Sequence, residues 1–427
     1  MKSIVEKGQT LMVDGPASVS LLSGDVNVLG APLEVEEKLV VREGKRLPFM
    51  VVETSTLELL LGQGACVNEV EGESVPSSWV DAADQILGLG KPTTVLVVGG
   101  VDSGKTSFCT FVVNQAVKQN LRTCVIDADL GQSDIGPPST VGYNVLTEPV
   151  KDLFEIDAKD AVFVGSTSPS GAINKVVDGL VQLKGRIMDA GVDLLVVNTD
   201  GWVEGDEAVG YKRRLIGGVG PDVVVGLQQT TELNPILDKL STIKTILLGS
   251  PELIASRSRD KRKLLRELTY KKYLKNAKVQ SFSLNWINVE DSILGAGGQL
   301  HHKRLQVLRN LLRVTPLYSE ETLTDVLVVL NKISGVNEEQ IEAAEDYFQK
   351  RVKIIREGDE EGLLVGLKDE EDHFLGIGVI NEVDYKRKVL KVFTPVAEKV
   401  STISFGQITL DKTCKELGLS TVFASDL

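Results

Sequence analysis

The sequence predicts an α/β protein in which a central parallel-sheet domain is flanked by an N-terminal β-sandwich-like domain and a smaller, mostly β C-terminal domain. Before Pro92, short β-type runs are separated by Gly, Pro and Asp. After Pro92, continuously apolar runs alternate with segments of helical pattern, which is typical of a parallel sheet covered on both faces. After about Asn276 this alternation weakens and β-type runs return. We therefore place the three domains at residues 1–78, 79–280 and 281–427.

The individual elements follow in chain order. The N-terminal β-type runs are VSLLSG, VNVLG, LEVEEKLVVREG and PFMVVET, and a linker SVPSS leads into the helical pattern WVDAADQILGLG. Six buried strands are predicted at TVLVVG, TCVIDAD, AVFVGS, DLLVVNT, DVVVGLQ and TILLGS. Helices between them are predicted at SFCTFVVNQAVKQ and NKVVDGLVQLKGRIMDA. The C-terminal domain begins with a helical stretch, QLHHKRLQVLRNLLRV, and continues into the runs GLLVGLKD, FLGIGVINEVD, VLKVFTP and STISFGQITLD.

The composition is that of a soluble globular chain. Its 427 residues are 42% hydrophobic and 25% charged, and the formal charge of −13 argues against a protein that coats nucleic acid. The 4 cysteines lie far apart and there are only 3 histidines, which disfavours a zinc site, a disulfide framework and histidine-based catalysis. No signal sequence or membrane span is recognisable. We expect no membrane partner and a cytoplasmic location, or a nuclear one in a eukaryote.

A glycine-rich loop follows the first central strand and precedes a helical pattern. GGVDSGKT fits G-x-x-x-x-G-K-[ST], whose backbone N–H groups and helix N-terminus cradle phosphate oxygens. Lys105 is expected to reach the β- and γ-phosphates, and the Thr106 hydroxyl to ligate Mg²⁺. The alternative is a glycine-rich turn with an exposed lysine. The predicted nucleotide-binding residues are Gly99, Gly100, Val101, Asp102, Ser103, Gly104, Lys105, Thr106 and Ser107.

The second central strand ends in two aspartates, Asp127 and Asp129, followed by Gln132. Because they are spaced at i and i+2, the two carboxylates point to the same side of the strand. There they face the glycine-rich loop at residues 99–107, called the P-loop below. There the carboxylates could hold the metal or accept a proton. We predict Asp127 as the metal ligand. The alternative is that they only cap the strand. A guanine-specific switch is disfavoured, because Gln228 and Gln229 stand where N-K-x-D is expected.

Three more segments lie at the predicted ligand-binding edge of the sheet. GSTSP follows the third strand, and NTDGW places Trp202 after the fourth, either as core packing or as a platform on which a base stacks. Residues 257–278 hold ten lysines and arginines and two acids, Asp260 and Glu267, a formal charge of about +8. This basic stretch is either a solvated helix or a lid, at about 256–275, whose arginines stabilise a transferring phosphoryl group.

Together these motifs resemble the polynucleotide 5′-hydroxyl kinase family. GGVDSGKT, DADLGQSDIGPP, GSTSP, VNTDGW and RSRDKRKLLR occur in this order, and the similarity spans about residues 94–272. The family includes the kinase subunit of the pre-mRNA cleavage factor, the kinase of ribosomal-RNA spacer processing and archaeal members, which this chain resembles most. The resemblance implies a P-loop kinase domain between two flanking domains.

The resemblance also implies roles for individual residues. Asp129 is expected to act as the general base on the 5′-hydroxyl, with Gln132 in the same motif, beside Lys105. Arg262 and Arg266 best match the lid arginines, and Arg257 and Arg259 give an alternative register. The residues expected to bind the terminal nucleotide are Thr167, Ser168, Pro169, Asn198, Thr199 and Trp202.

The sequence thus predicts an ATP- and Mg²⁺-dependent kinase that phosphorylates the 5′-hydroxyl end of RNA, with DNA as a second substrate class, in RNA processing. An RNA-processing endonuclease or ligase is the expected protein partner. The alternatives are an ATP-binding scaffold without catalysis in an RNA-processing complex, and a small-molecule kinase or NTP-driven chaperone of the same P-loop type.

Overall fold

The computed structural model describes residues 1–240, 242–251, 258–420 and 422–423. These residues fall into two compact units. The first comprises residues 1–162 and 168–266, and the second comprises residues 163–167 and 267–427. Among the helices described, none combines the length and the apolar character needed to span a bilayer.

The N-terminal part of the first unit is a seven-stranded sheet with the path β4-β3-β6-β2-β7, to which β1 and β5 add at β6 and β3. The pairing of its long strands β3 and β6 shifts register at three points. Each of the two also pairs with other strands along its length. Alternate side chains from these strands form a buried cluster of Val, Leu and Phe residues. The strands are β1 Lys2–Val5, β2 Gln9–Asp14, β3 Ala17–Val28, β4 Ala31–Leu33, β5 Lys38–Val41, β6 Arg46–Leu61 and β7 Cys66–Glu71.

Helix α1, Ser77–Leu87, connects this sheet to the central one. Its buried Trp79 packs edge-on against Phe108, with ring centroids 5.3 Å apart. The predicted domain boundary at residue 78 falls within this helix.

The central sheet has seven strands in the order β11-β10-β9-β12-β8-β13-β14. Strands β9, β12, β8, β13 and β14 run parallel, as expected for fully apolar strands covered by helices. The chain here forms β8 Thr93–Gly99, α2 Lys105–Lys118, β9 Thr123–Ala128, β10 Thr140–Leu146, β11 Asp160–Phe163, α3 Ile173–Asp189, β12 Leu194–Thr199, α4 Asp206–Val219, β13 Val223–Gln228, α5 Asn234–Leu237, β14 Lys244–Gly249 and α6 Arg259–Tyr273.

Part of the central sheet departs from the expected parallel arrangement. Strand β10 runs antiparallel to β9 and was not predicted. Its sequence TVGYNVL contains a glycine and an asparagine and follows the Pro137-Pro138 turn, so it lacks the continuous apolar run that marks the other strands.

The second unit contains most of the C-terminal region, in two sheets. A seven-stranded sheet follows the path β15-β23-β22-β21-β24-β16, with β25 paired to β24, and a four-stranded sheet has the order β17-β18-β19-β20. Helices α7 and α8 contribute to the buried cluster that covers the smaller sheet. The elements are β15 Lys278–Ser283, β16 Asn288–Glu290, β17 Gly298–Gln299, α7 His302–Leu312, β18 Tyr318–Glu321, β19 Asp325–Leu330, α8 Glu338–Phe348, β20 Arg351–Arg356, β21 Leu363–Lys368, β22 Phe374–Asp384, β23 Val389–Thr394, β24 Thr402–Leu410 and β25 Glu416–Leu419. The predicted boundary at residue 280 lies inside β15.

Candidate active site

The candidate site lies where three adjacent parallel strands of the central sheet end. Asn198 at the end of β12 pairs with Val97 of β8 on one side and with Asp127 of β9 on the other. The P-loop follows β8 and the acidic loop follows β9. The sheet therefore brings these two predicted segments together at its carboxyl edge, where ligands bind in open α/β sheets.

The P-loop needs glycine at two positions for different reasons. Gly104, which precedes helix α2, has a φ of 95°, a left-handed conformation that side chains with a Cβ rarely adopt. A Cβ on Gly99 would lie 2.5 Å from the Leu227 carbonyl oxygen and equally close to the Ser103 hydroxyl. The loop is thus held tightly against β13. The first N–H groups of α2 have no partner within the helix and are the groups that bind phosphate in loops of this kind.

Lys105 is buried and turns back onto its own loop. Its Nζ donates hydrogen bonds of 3.0 Å to the Gly99 carbonyl and 2.6 Å to the Gly100 carbonyl. Because an ammonium group has three donors, one remains for an anion. Burial lowers the pKa of Lys105, and the charges of Asp129 and Asp200 oppose that shift.

Asn198 joins the P-loop to the acidic loop. Its Nδ2 donates to Thr106 Oγ1 at 3.3 Å and to Asp127 Oδ1 at 3.0 Å. Asn198 is completely buried. Its side chain therefore fixes the two residues predicted to hold the metal, rather than facing a substrate.

Asp127 is also completely buried, and both of its oxygens already accept hydrogen bonds. Besides the Asn198 amide, the backbone N–H groups of Asp129, Asp134 and Ile135 donate to it. Burial raises the pKa of Asp127 to about 7, and the charges of Asp129 and Asp134 add to the shift. Its main structural effect is to hold the loop that follows β9.

Asp129 heads this loop and is partly exposed. Its Oδ1 accepts from the backbone N–H groups of Gly131, at 3.1 Å, and Gln132, at 2.9 Å, so Oδ2 is the oxygen directed to other partners. Burial raises the pKa of Asp129; the charge of Lys105 opposes the shift and that of Asp200 adds to it. A carboxylate with a raised pKa beside a lysine suits proton abstraction.

The described part of the basic segment reaches the same site. Gln132 Nε2 donates to the Arg262 carbonyl at 3.1 Å, and the Arg262 guanidinium lies 4.0 Å from the Asp102 carboxylate of the P-loop. Arg259 and Arg266 lie on the same helix, α6, and Arg257 lies outside the described residues. The structure thus brings Arg262 to the P-loop.

Trp202 lies next to a buried ion pair, Asp200 with Lys212, that the sequence did not predict. Its indole stacks on the Tyr211 ring at 5.7 Å, and its backbone N–H donates to Asp200. The other Asp200 carboxylate oxygen accepts from the Tyr211 hydroxyl at 2.7 Å and pairs with Lys212 Nζ at 2.9 Å. Lys212 is completely buried. One face of the half-buried Trp202 is thus used by Tyr211, which presets the orientation of the indole.

The remaining predicted substrate residues differ in their surroundings. Thr199 is fully buried and its hydroxyl donates to the Val97 carbonyl, a contact that ties β12 to β8. Ser168 is exposed and Pro169 is buried in the first compact unit, ahead of α3. Thr167 is partly buried and belongs to the second unit.

Replacing Lys212 by methionine should lower the free energy of unfolding by about 3 kcal/mol, because Asp200 would be left as a buried charge without its cation. Urea denaturation checks this, with Lys118→Met on the exposed end of α2 as control. The double variant Lys212→Met with Asp200→Asn should recover part of the loss. A single-variant cost near that of the control would contradict the prediction.

Asp200, Tyr211 and Lys212 are the residues that sequence reasoning missed. Asp200 stood inside the quoted VNTDGW motif, two residues from Trp202, which was the available signal. Nothing in the helical pattern of α4 distinguishes the buried Lys212 from the neighbouring Arg213, which is partly exposed.

Known proteins resemble this chain over most of its length. A family model described as the P-loop of the mRNA cleavage and polyadenylation factor CLP1 matches residues 99–276. A polyribonucleotide 5′-hydroxyl-kinase of Pyrococcus furiosus is 31% identical over 347 residues, which cover 81% of this chain and 95% of that protein. One of Methanocaldococcus jannaschii is 28% identical over 350 residues, with 81% and 94% covered.

A solved structure shares the fold. Clp1p in the wild-type Clp1p–Pcf11p complex aligns with a TM-score of 0.67 at 13% identity, covering 96% of this chain and 97% of that one. The predicted fold class is confirmed by this likeness.

Proposed function

Since the chain belongs to the family of the polyribonucleotide 5′-hydroxyl-kinases and Clp1 proteins, we propose that it is an ATP-dependent kinase that phosphorylates the 5′-hydroxyl end of RNA. The observation that carries the proposal is the Asn198 side chain, which joins the Thr106 hydroxyl of a P-loop to the Asp127 carboxylate at the end of β9, where the loop of Asp129 begins. A phosphate-binding loop and a loop that bears a base are thereby fixed side by side.

The P-loop would hold the triphosphate of ATP. Its residues 99–107 supply backbone N–H groups, and the third donor of Lys105 is available for a β- or γ-phosphate oxygen. The Ser103 hydroxyl is buried and has no hydrogen-bond partner among the described residues. A loop with an unused hydroxyl and an unused ammonium donor suits an anionic ligand.

Thr106 and Asp127 are the residues predicted from the sequence to hold Mg²⁺, which neutralises charge on the β- and γ-phosphates when it is bound. The donor set fits a hard cation, because both side chains offer oxygen. Thr106 is partly exposed, whereas both carboxylate oxygens of Asp127 already accept hydrogen bonds within the protein. We therefore assign direct contact to the Thr106 hydroxyl and an anchoring role to Asp127.

Asp129 would remove the proton from the 5′-hydroxyl while the hydroxyl oxygen attacks the γ-phosphorus of ATP. ADP would be the leaving group. A hydroxyl is a weak nucleophile, so a positioned carboxylate is worth about 10²- to 10⁴-fold in rate. Gln132 would hold the lid helix through its bond to the Arg262 carbonyl. Arg262 and Arg266 would stabilise the charge on the transferring group, with Arg262 near the P-loop.

The terminal nucleotide would be bound by Ser168, Pro169 and Thr167, and its base would stack on Trp202. RNA is the proposed substrate, with DNA ends as a second class, and an RNA-processing endonuclease or ligase as protein partner. The cysteines are all free, which fits a reducing compartment such as the cytoplasm, or the nucleus in a eukaryote.

The direct test is incubation of the protein with γ-labelled ATP, Mg²⁺ and a 5′-hydroxyl RNA oligonucleotide. We expect label at the 5′ end, lost when the metal is chelated, and no label on a 5′-phosphorylated oligonucleotide. ATP binding without any transfer, over a range of salt and temperature, would refute the kinase and favour the non-catalytic scaffold. Transfer or hydrolysis without a polynucleotide would favour a small-molecule kinase or a chaperone.

Trp202→Ala should raise KM for the oligonucleotide by about tenfold, because base–aromatic stacking is worth about 1–3 kcal/mol. The KM for ATP should stay near its wild-type value. Steady-state kinetics with each substrate varied in turn measure the two constants, and Trp286→Ala, at an exposed tryptophan in the second unit, is the matched control. Equal increases in both KM values would refute stacking.

A further inference from the structure

A buried ion cluster links the N-terminal sheet to the loop that carries Asp129. Arg42 and Lys45, in the turn between β5 and β6, each contact both Asp134 and Asp152. Arg42 lies 2.8 Å from Asp134 and 3.2 Å from Asp152, and Lys45 lies 2.8 Å and 3.2 Å from the same carboxylates. All members of this four-residue ion cluster are largely removed from solvent, with at most 19% of a side chain exposed.

The cluster is arranged to fix side chains in one geometry. The Arg42 guanidinium also lies over the Phe154 ring, 3.5 Å from its centroid. Asp152 additionally accepts a hydrogen bond from the Phe154 backbone N–H, which caps a short 3₁₀ turn. Buried ion pairs add little net stability but hold a defined geometry when every carboxylate is matched.

Asp134 is the member that reaches the reaction site. Its backbone N–H donates to Asp127 Oδ2 at 2.7 Å, and it closes the loop that begins at Asp129. The Asp127 carboxylate therefore holds both ends of the loop, and cations from a different sheet also hold its Asp134 end. No other charged contact to the N-terminal sheet is seen for residues 129–135 in the described part of the chain.

The same turn also lies close to the lid helix. Gly44, between the two cations, has a φ of 74°, and a Cβ placed there would lie 3.5 Å from the Leu265 side chain of α6. Leu265 is next to Arg266 and less than one turn from Arg262. One turn of the N-terminal sheet thus contacts the loop of Asp129 and lies close to the lid helix, the two segments that the proposed reaction must align.

We propose that Arg42 and Lys45 are positioning residues for the phosphoryl transfer, acting through Asp134 on the loop of Asp129 and Gln132; the inference rests on the proposed kinase function. The N-terminal sheet then serves catalysis without touching substrate. Misplacing a reacting group by about 1 Å costs about 10²-fold in rate, so this loop need shift only slightly for a large effect.

The test compares two carboxylates of the same cluster. Asp134→Asn should lower kcat by about 10- to 100-fold and leave KM for ATP unchanged, because the P-loop is not held by the cluster. Asp152→Asn removes an equivalent pair of contacts, keeps the cap on Phe154, and should leave kcat near wild type. Thermal unfolding of both variants should show comparable losses of stability, which separates positioning from a general structural role.

A second readout does not depend on transfer. Hydrogen exchange of the backbone amides of residues 131–135 should be faster in Asp134→Asn than in Asp152→Asn or wild type. If Asp134→Asn does not fold, Lys45→Gln should show the same fall in kcat and the same faster exchange, with recovery in Lys45→Arg.

The outcomes distinguish the inference from the proposed function. Active wild-type enzyme with equal kcat in Asp134→Asn and Asp152→Asn would overturn the positioning role and leave the kinase intact. Inactive wild-type enzyme would refute the kinase. The exchange measurement would then decide the loop contact by itself, and unchanged exchange in Asp134→Asn would overturn it.

Discussion

Replacing Asp129 by asparagine should lower kcat for RNA phosphorylation by about 10²- to 10⁴-fold, the usual worth of a general base. The side-chain shape is kept, and the asparagine carbonyl oxygen is still able to accept the hydrogen bonds from Gly131 and Gln132. Only the ability to take the hydroxyl proton is lost. Affinity for ATP should remain close to wild type, because the P-loop is unchanged.

Single-turnover kinetics with saturating ATP measure the transfer step, and calorimetric titration with ATP measures binding. Asp178→Asn, an exposed aspartate on α3, is the matched control. The rate of Asp129→Asn should also lose its rise with pH on the acidic side, since the wild-type rate follows deprotonation of a carboxyl whose pKa is raised by burial. Transfer at a near wild-type rate would show that another group is the base.

Replacing Lys105 by alanine should weaken both ATP binding and transfer, with a fall in kcat of about 10²- to 10³-fold, as for removal of one donor that stabilises developing charge. Lys105 supplies the buried ammonium nearest to the expected phosphates, and its removal also frees the Gly99 and Gly100 carbonyls. The variant is thus expected to affect binding and chemistry together, in contrast to Asp129→Asn.

The controls for this variant separate charge from packing. Lys105→Met keeps most of the buried stem and should be as inactive as Lys105→Ala, while Lys118→Ala, at the exposed end of the same helix, should behave as wild type. Full activity in Lys105→Met would mean that the ammonium is not required.

The sequence predicts the strands of the central sheet correctly where their apolar runs are continuous. All six predicted central strands are present. Five of them are largely buried, as their unbroken apolar runs indicate, whereas the edge strand β14 is mostly exposed. Strand β10 was not predicted, because a glycine and an asparagine interrupt its apolar run. The family resemblance is confirmed by the archaeal relatives, whereas the roles of individual site residues stay predictions.

Long-range pairs account for what the sequence did not predict. Arg42 and Asp134 lie 92 positions apart, and no local pattern links a turn of one sheet to a loop of another. Lys212 is equally hidden, because its burial depends on how α4 packs beside Asp200. The net charge of −13 likewise does not predict where lysine and arginine side chains cluster in the fold.

The hydrogen bonds of Asp127 limit which residue can occupy that position. One oxygen receives N–H groups from Asp129 and Asn198, and the other receives them from Asp134 and Ile135. An asparagine would have to turn its NH₂ group towards one of these pairs, so that donor would face donor in a site closed to water. A glutamate would need room for another methylene. Position 127 is therefore restricted to aspartate by the polarity of its neighbours, whether or not a metal ever binds there.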